Sequence, residues 1–140
     1  MLSHVFLGVK DFERALAFYG PLMDCLGLPP RFVDRERPWA GWQTPGVADG
    51  RPLLLIGRPF DDEAHVAGNG QMLALQADSR ALVDAAHALA LRLGGRCEGP
   101  PGLRPGYHPH YYGAYFRDTE GNKLGLVCHA APSNGDQSTT

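Results

Sequence analysis

Moving the first half of the chain forward by 68 residues lays Val5, Leu7 and Val9 on Leu73, Leu75 and Ala77, and Gly27 on Gly95. An internal repeat constrains a fold more than any local motif, because two copies must bury the same apolar pattern with the same elements. In the first copy, Val5, Leu7 and Val9 alternate with His4, Phe6 and Gly8, which predicts a strand. Asp11 stands where a helix N-cap belongs. Phe12, Ala15, Leu16, Tyr19, Leu22, Met23 and Leu26 follow at spacings of three and four, the stripe of an amphipathic helix. Gly20-Pro21 is expected to bend or interrupt that helix, and Gly27 to end it. Strands are predicted at 31–35, 39–43 and 52–56, the last an apolar run.

The second copy begins with a strand at 71–77, in which Leu73, Leu75 and Ala77 alternate with Met72, Ala74 and Gln76. Ser79 caps a helix striped with Leu82, Val83, Ala86, Leu89, Ala90 and Leu93, and Gly94-Gly95 ends it. The copy closes with Tyr111 to His129, two apolar and aromatic runs around Asp118-Thr-Glu-Gly-Asn122, a hairpin with a tight turn. The segment 57–70, with Asp61, Asp62, Glu63 and Gly68-Asn-Gly70, connects the copies.

Each copy is therefore strand, helix and about three strands. Helices cover one face of such a sheet and leave the other for the second copy. The expected fold is α+β: two βαβββ repeats forming a curved mixed sheet with helices on the outer face and a concave ligand cavity. Residues 1–130 are expected to form a single domain, with repeats at about 3–57 and 70–129 and a flexible tail at 131–140. A net charge of −2 offers no footprint for nucleic acid or an anionic membrane. No apolar run approaches the roughly 20 residues of a spanning helix, and the first residues lack a signal-peptide pattern, so the expected location is the cytoplasm. Cys25, Cys97 and Cys128 are odd in number and lack Cys-x-x-Cys spacing, so they are read as buried or half-buried apolar residues.

By strand parity, the cavity is lined by His4, Phe6, Met72, Ala74, Gln76, Gly125 and Val127, joined by Tyr111, Gly113 and Tyr115 if the last hairpin is in regular register. His108 and His110 lie on the loop entering that hairpin, at the rim. Such a surface suits a small organic molecule. His65 and His87 are assigned to solvent. Trp39 and Trp42, three apart, point to opposite faces.

From His4-Val-Phe-Leu-Gly-Val-Lys-Asp11 through Phe18-Tyr19 to the Asp118 turn and Gly121-Asn-Lys123, the chain resembles the vicinal-oxygen-chelate superfamily of glyoxalases, bleomycin-resistance proteins and extradiol dioxygenases. The resemblance implies a metal site with one histidine or glutamate from each of four strands, two per repeat. Those positions fall on His4, near Leu54, on Met72 and on Gly125, so one ligand of four is present and no metal or other cofactor is expected there. Tyr115 stands ten residues before Gly125, where extradiol-type relatives carry a pocket tyrosine; hairpin packing explains it equally well.

Two functional readings follow, beside a purely structural one in which the domain works only as a dimer-forming module. The first is a glyoxalase-like small-molecule-binding protein with a degenerate metal site, catalytically silent or metal-independent, with His4, Phe6, Met72, Gln76, His108, His110, Tyr115 and Gly125 about its ligand. The second is an enzyme, a lactoylglutathione lyase-like or dioxygenase-like relative that rebuilds a divalent metal site from His4, His108, His110 or a partner subunit. The resemblance also implies pairing as a homodimer.

Overall fold

In a computed structural model of the chain, residues 1–132 are described; the tail expected at 131–140 lies, from 133 onward, outside the described residues. The chain divides into two compact units, Met1–Gly68 and Asn69–Thr140, and the division falls in the segment read as the connection between copies.

The first unit contains β1 (His4–Gly8), α1 (Phe12–Cys25), β2 (Pro30–Asp34), β3 (Trp39–Trp42) and β4 (Leu53–Gly57). The second contains β5 (Leu73–Gln76), α2 (Arg80–Arg92), β6 (Arg96–Leu103), β7 (Tyr112–Arg117) and β8 (Lys123–Cys128). Each unit is a βαβββ repeat with its own four-stranded mixed sheet, ordered β1-β4-β3-β2 and β5-β8-β7-β6. In both, the first strand pairs in parallel with the last, and the remaining pairs are antiparallel.

The helices repeat one another down to their ends. Asp11 Oδ1 accepts the N–H of Arg14 at 3.1 Å, and Ser79 Oγ accepts that of Leu82 at 3.0 Å, two N-caps 68 residues apart. At the other end, Leu28 N–H reaches back to Met23 O and Gly95 N–H to Ala90 O. The left-handed residue that permits this is Gly27 (φ 73°) in one and Gly94 (φ 106°) in the other. Gly27 thus corresponds to Gly94, not Gly95, because α2 is one residue shorter than α1. Of the two outcomes expected at Gly20-Pro21, the interruption does not occur: α1 runs as one helix through Pro21. Pro21 and Ala17 both lie on its exposed side, so the carbonyl that the proline cannot pair faces water.

Packing is distributed as the alternation predicts. In the first unit Ala15, Phe18, Tyr19, Leu22 and Met23 of α1 are buried with Ala40, Trp42 and Ile56, and the Tyr19 and Trp42 rings lie 6.1 Å apart. In the second, Val83, Ala86 and Ala90 are buried with Ala114, Phe116, Leu124 and Leu126. His87 belongs to this layer and not to solvent: it is 5% exposed, packs edge-on against Phe116 and has Nε2 3.3 Å from the Tyr115 carbonyl. It continues a stripe of Arg80, Val83 and Ala90 at spacings of three and four, which the leucines at 82, 89 and 93 obscured. His65 is also turned inward. Its ring lies over Gly8, where an added Cβ would come within 2.5 Å of Nδ1. Among the cysteines, Cys128 is buried and Cys25 half-buried, whereas Cys97 is exposed on β6, the edge strand of its sheet.

The closing hairpin turns on Asp118, which is buried. Its Oδ1 accepts the N–H groups of Glu120 and Asn122, each at 2.8 Å, and Oδ2 accepts Asn122 Nδ2 at 3.0 Å. Gly121 supplies the left-handed residue of the turn (φ 85°). Truncating Asp118 strands buried donors, so Asp118→Ala is expected to cost about 2–3 kcal/mol in denaturant unfolding. Burial holds the His87 pKa below its ordinary 6.5, against the opposing pull of the Tyr115 carbonyl and Asp84. The unfolded chain therefore takes up a proton that the folded one resists: this contribution to stability is complete above pH 6.5 and is lost as pH falls through the lowered folded value. Between pH 7 and pH 5, melting of His87→Leu is expected to fall less steeply than that of the wild type; parallel curves would contradict this placement.

Candidate functional site

α1 packs on β3 and β4, and α2 on β6, β7 and β8, so each sheet has a helix face and a far face. Strand pairing fixes which residues share a far face. In the second unit Ala74 pairs with Gly125, and Gly125 with Tyr115. Alternation adds Met72 and Gln76 from the first-strand side, Lys123 and Val127 on β8, and Gly113 and Arg117 on β7. In the first unit the far face carries His4, Phe6 and Gly8 on β1, with Leu53, Leu55 and Gly57 opposite them on β4.

This register resolves the metal-ligand position placed near Leu54. Leu54 pairs with Val5 and so belongs to the helix face. Ala74 stands to Met72 as Phe6 stands to His4, and the partner of Ala74 is Gly125, so the counterpart of Gly125 is the partner of Phe6, Leu55. The two positions are thus His4 and Leu55 in the first unit, and Met72 and Gly125 in the second. That set does not fit a divalent cation: it supplies one imidazole, a thioether and two positions without a donor. His4 is exposed, with Nδ1 2.9 Å from Ser3 Oγ. Among the described residues, no group of three or more His, Cys, Asp or Glu side chains is placed to hold a metal ion.

Tyr115 is drawn into contact with Gly125. A Cβ at position 125 would lie 3.2–3.3 Å from two carbons of the Tyr115 ring and 3.4 Å from Ala74 Cβ. On the β6 side, a Cβ at Gly99 would lie 3.0 Å from the same ring. The ring therefore fills the gap between two glycines. Further glycines continue the pattern: a Cβ at Gly113 would come 2.9 Å from the Tyr111 ring, and one at Gly102 would come 3.0 Å from an Arg104 Nη. The far face of β6, β7 and β8 is a floor of backbone on which Tyr115, Tyr111 and Arg104 lie.

The hydroxyls of Tyr111 and Tyr115 are 2.9 Å apart, so one donates to the other and one proton is left to donate outward. Burial, and next the bond to Tyr111, push the Tyr115 phenol up to about 12, although Arg104 and Lys123 pull the other way. At neutral pH the Tyr115 phenol is uncharged, and the hydroxyl pair presents a donor. Arg104 Cζ and Lys123 Nζ lie 5.6 and 5.9 Å from the Tyr115 ring centroid. Arg104 is steadied by the Pro100 carbonyl, to which its Nη2 donates at 2.7 Å.

His108 joins this group indirectly. Its ring is edge-on to Tyr111 at 5.7 Å. The His110 N–H donates to His108 Nδ1 at 3.1 Å, which leaves the proton on Nε2 to donate to His129 Nδ1 at 2.9 Å. The His110 ring is exposed, and its part in this arrangement is its backbone N–H. Met72 and Gln76 are exposed beside β5 and make none of these contacts, while Phe6 lies in the first unit, its ring tip over Gly57. Trp39 shares that face: a Cβ at Gly57 would meet it at 2.9 Å, and Arg37 caps its ring at 3.9 Å. Arg104, Lys123 and His129 were not singled out by sequence. Alternation with Gly125 points to Lys123; Arg104 follows a strand without a readable period, and the pairing of His129 with a residue 21 positions away leaves no local trace.

A family model described as Glyoxalase/Bleomycin resistance protein/Dioxygenase superfamily matches residues 1–126. The chain belongs to this superfamily. Among solved structures, it is 34% identical to a glyoxalase/bleomycin resistance protein from Albidiferax ferrireducens T118, with a TM-score of 0.80 over 91% of this chain and 98% of that one. A glyoxalase-related enzyme from Fulvimarina pelagi is similar at 20% identity and TM-score 0.68, covering 100% of this chain and 96% of that one. A lactoylglutathione lyase from Agrobacterium tumefaciens is similar at 22% identity and TM-score 0.61, with 91% and 92% covered. These last two likenesses are of fold. No curated protein sequence matches. No described helix is long and apolar enough to cross a membrane.

Three causes raise the Tyr115 phenol; Tyr111→Phe removes the two that come from Tyr111, its hydrogen bond and its charge, and leaves the largest, burial. Phenolate absorbance of that variant is expected to show Tyr115 titrating below its wild-type value of about 12 but above the ordinary 10; an unchanged midpoint would contradict the hydroxyl pair.

Proposed function

We propose that the chain is a glyoxalase-like small-molecule-binding protein whose metal site is degenerate, and that it is either silent as a catalyst or works without a metal. The observation that carries this reading is the contact between Tyr115 and Gly125. Where the resemblance places a metal-binding glutamate, the chain has no side chain, and the space next to that backbone is taken by a phenol ring. Leu55 and Met72 supply no better donor in the other two changed positions. The carboxylate that would serve such a site as a proton acceptor is missing with the ligand, whereas the groups that are present, a neutral phenol pair between two cations, are suited to hold an oxygen-bearing molecule.

Protein made without a histidine tag and dialysed against a weak chelator is expected to carry no stoichiometric divalent metal by elemental analysis. Near one metal per chain, lost on His4→Ala, would overturn the reading. Gly125→Glu must displace the Tyr115 ring by a few tenths of an ångström and is expected to destabilise the protein by about 1–3 kcal/mol without gaining tight metal binding. Tight binding by that single variant would show the ligand positions to be wrong.

A further inference from the structure

The proposed binding role leaves the chemistry of the ligand open, and the charges on the far face of the second sheet narrow it. Arg96, Arg117, Arg104 and Lys123 stand on or beside β6, β7 and β8, against the carboxylate of Glu98. Glu98 is already engaged: it accepts from Arg117 Nε at 3.0 Å and lies 3.6 Å from Arg96, with Lys123 attracting it from farther away. Of the other acids, Asp118 closes the β7–β8 turn, Glu120 stands within that turn, and Asp84 of α2 accepts the Tyr112 hydroxyl at 2.6 Å beneath the sheet. Among the described residues, the hydrogen bonds of Arg104 go to carbonyl oxygens, Pro100 O at 2.7 Å and Leu103 O at 3.4 Å, and those neutralise no charge. Positive charge is therefore left beside Tyr115, where the tyrosine rings lie close on the sheet and one phenol proton is left to donate outward.

Resting on the reading that this face binds a small molecule, we propose that its ligand is a small organic anion with a flat body: the body lies over the exposed Ala74 and against the Tyr115 ring beside it, and the anionic oxygens take Arg104, Lys123 and the outward proton of the Tyr111–Tyr115 pair. Each group has a separate part. The two cations select charge, the phenol pair fixes one oxygen by a charge-assisted hydrogen bond, and the glycines let the tyrosine rings lie low on the sheet, where they offer a flat body a surface. A neutral molecule of the same shape leaves both cations without a partner and forfeits the strongest of these contacts.

The test uses benzoate and phenylphosphonate as probes and benzamide as a neutral isostere of the first, by calorimetric titration and thermal shift on the full chain. Both anions are expected to bind and to raise the melting temperature, with affinity falling as salt is added, and benzamide is expected to bind at least about tenfold more weakly. The double variant Arg104→Gln, Lys123→Gln is expected to bind benzoate no better than benzamide while melting, unliganded, close to the wild type. Equal binding of benzoate and benzamide by the wild type, no binding of either anion, or undiminished benzoate binding by the double variant overturns the anion assignment. The wild-type comparison decides even where the variant folds poorly. Elemental analysis of the same samples separates the two claims, since stoichiometric metal overturns the metal-free reading whether or not benzoate binds.

Discussion

The parallel pairing of the first strand of each repeat with its last determines the rest of the structure. A chain that returns its fourth strand to lie beside its first must cross over with a helix and then fold back through two antiparallel connections, which gives the order first, fourth, third, second. It also fixes which residues face away from the helix. His4, Phe6 and Gly8 share that face with alternate residues of β4, as Met72, Ala74 and Gln76 do with alternate residues of β8. The positions where the superfamily resemblance puts metal ligands are set by this register, and the chemistry of the chain is decided by what fills them.

In the proposed reading, these positions offer surface in place of donors. In both units, glycines on the far face are overlain by rings from neighbouring strands or loops: Phe32 over Gly41, Trp39 and Phe6 against Gly57, His65 over Gly8, Tyr111 over Gly113, and Tyr115 between Gly99 and Gly125. The physical principle is the same each time, since removing a Cβ lets a large ring approach the backbone. The two faces differ in the polarity of those rings. The first carries mainly apolar ones, whereas the second carries hydroxyls flanked by cations. A side chain at 125 would press on the present position of the Tyr115 ring, so the glycine there and the placement of the phenol pair are linked.

The elements legible in the sequence are those whose burial follows one period. Strands β1, β4 and β5, the two N-caps and the Asp118 turn each have a local signal, and the repeat supplied the architecture. Where several apolar residues stand together the period is lost. The run Leu53-Leu54-Leu55 contains no alternation to place a ligand within one residue, and leucines flanking the α2 stripe drew it away from His87. The Tyr111–Tyr115 bond and the place of Arg104 depend on side-chain reach across strands, for which a sequence carries no spacing. β6 was invisible for a different reason: Glu98-Gly-Pro-Pro-Gly102 has the composition of a loop.

That same composition has a further consequence. β6 is an outer strand of its sheet, and the pairing with β7 is irregular between Gly99 and Gly102, around Pro100 and Pro101. In a strand, adjacent residues present their N–H groups to opposite sides, so two successive prolines remove one donor from the inner ladder and one from the outer rim. The inner loss is absorbed by the bulge. The outer loss breaks the row of donors that another extended chain would pair with, so this rim is blunted against edge-to-edge pairing at the strand beside the charged tyrosine surface.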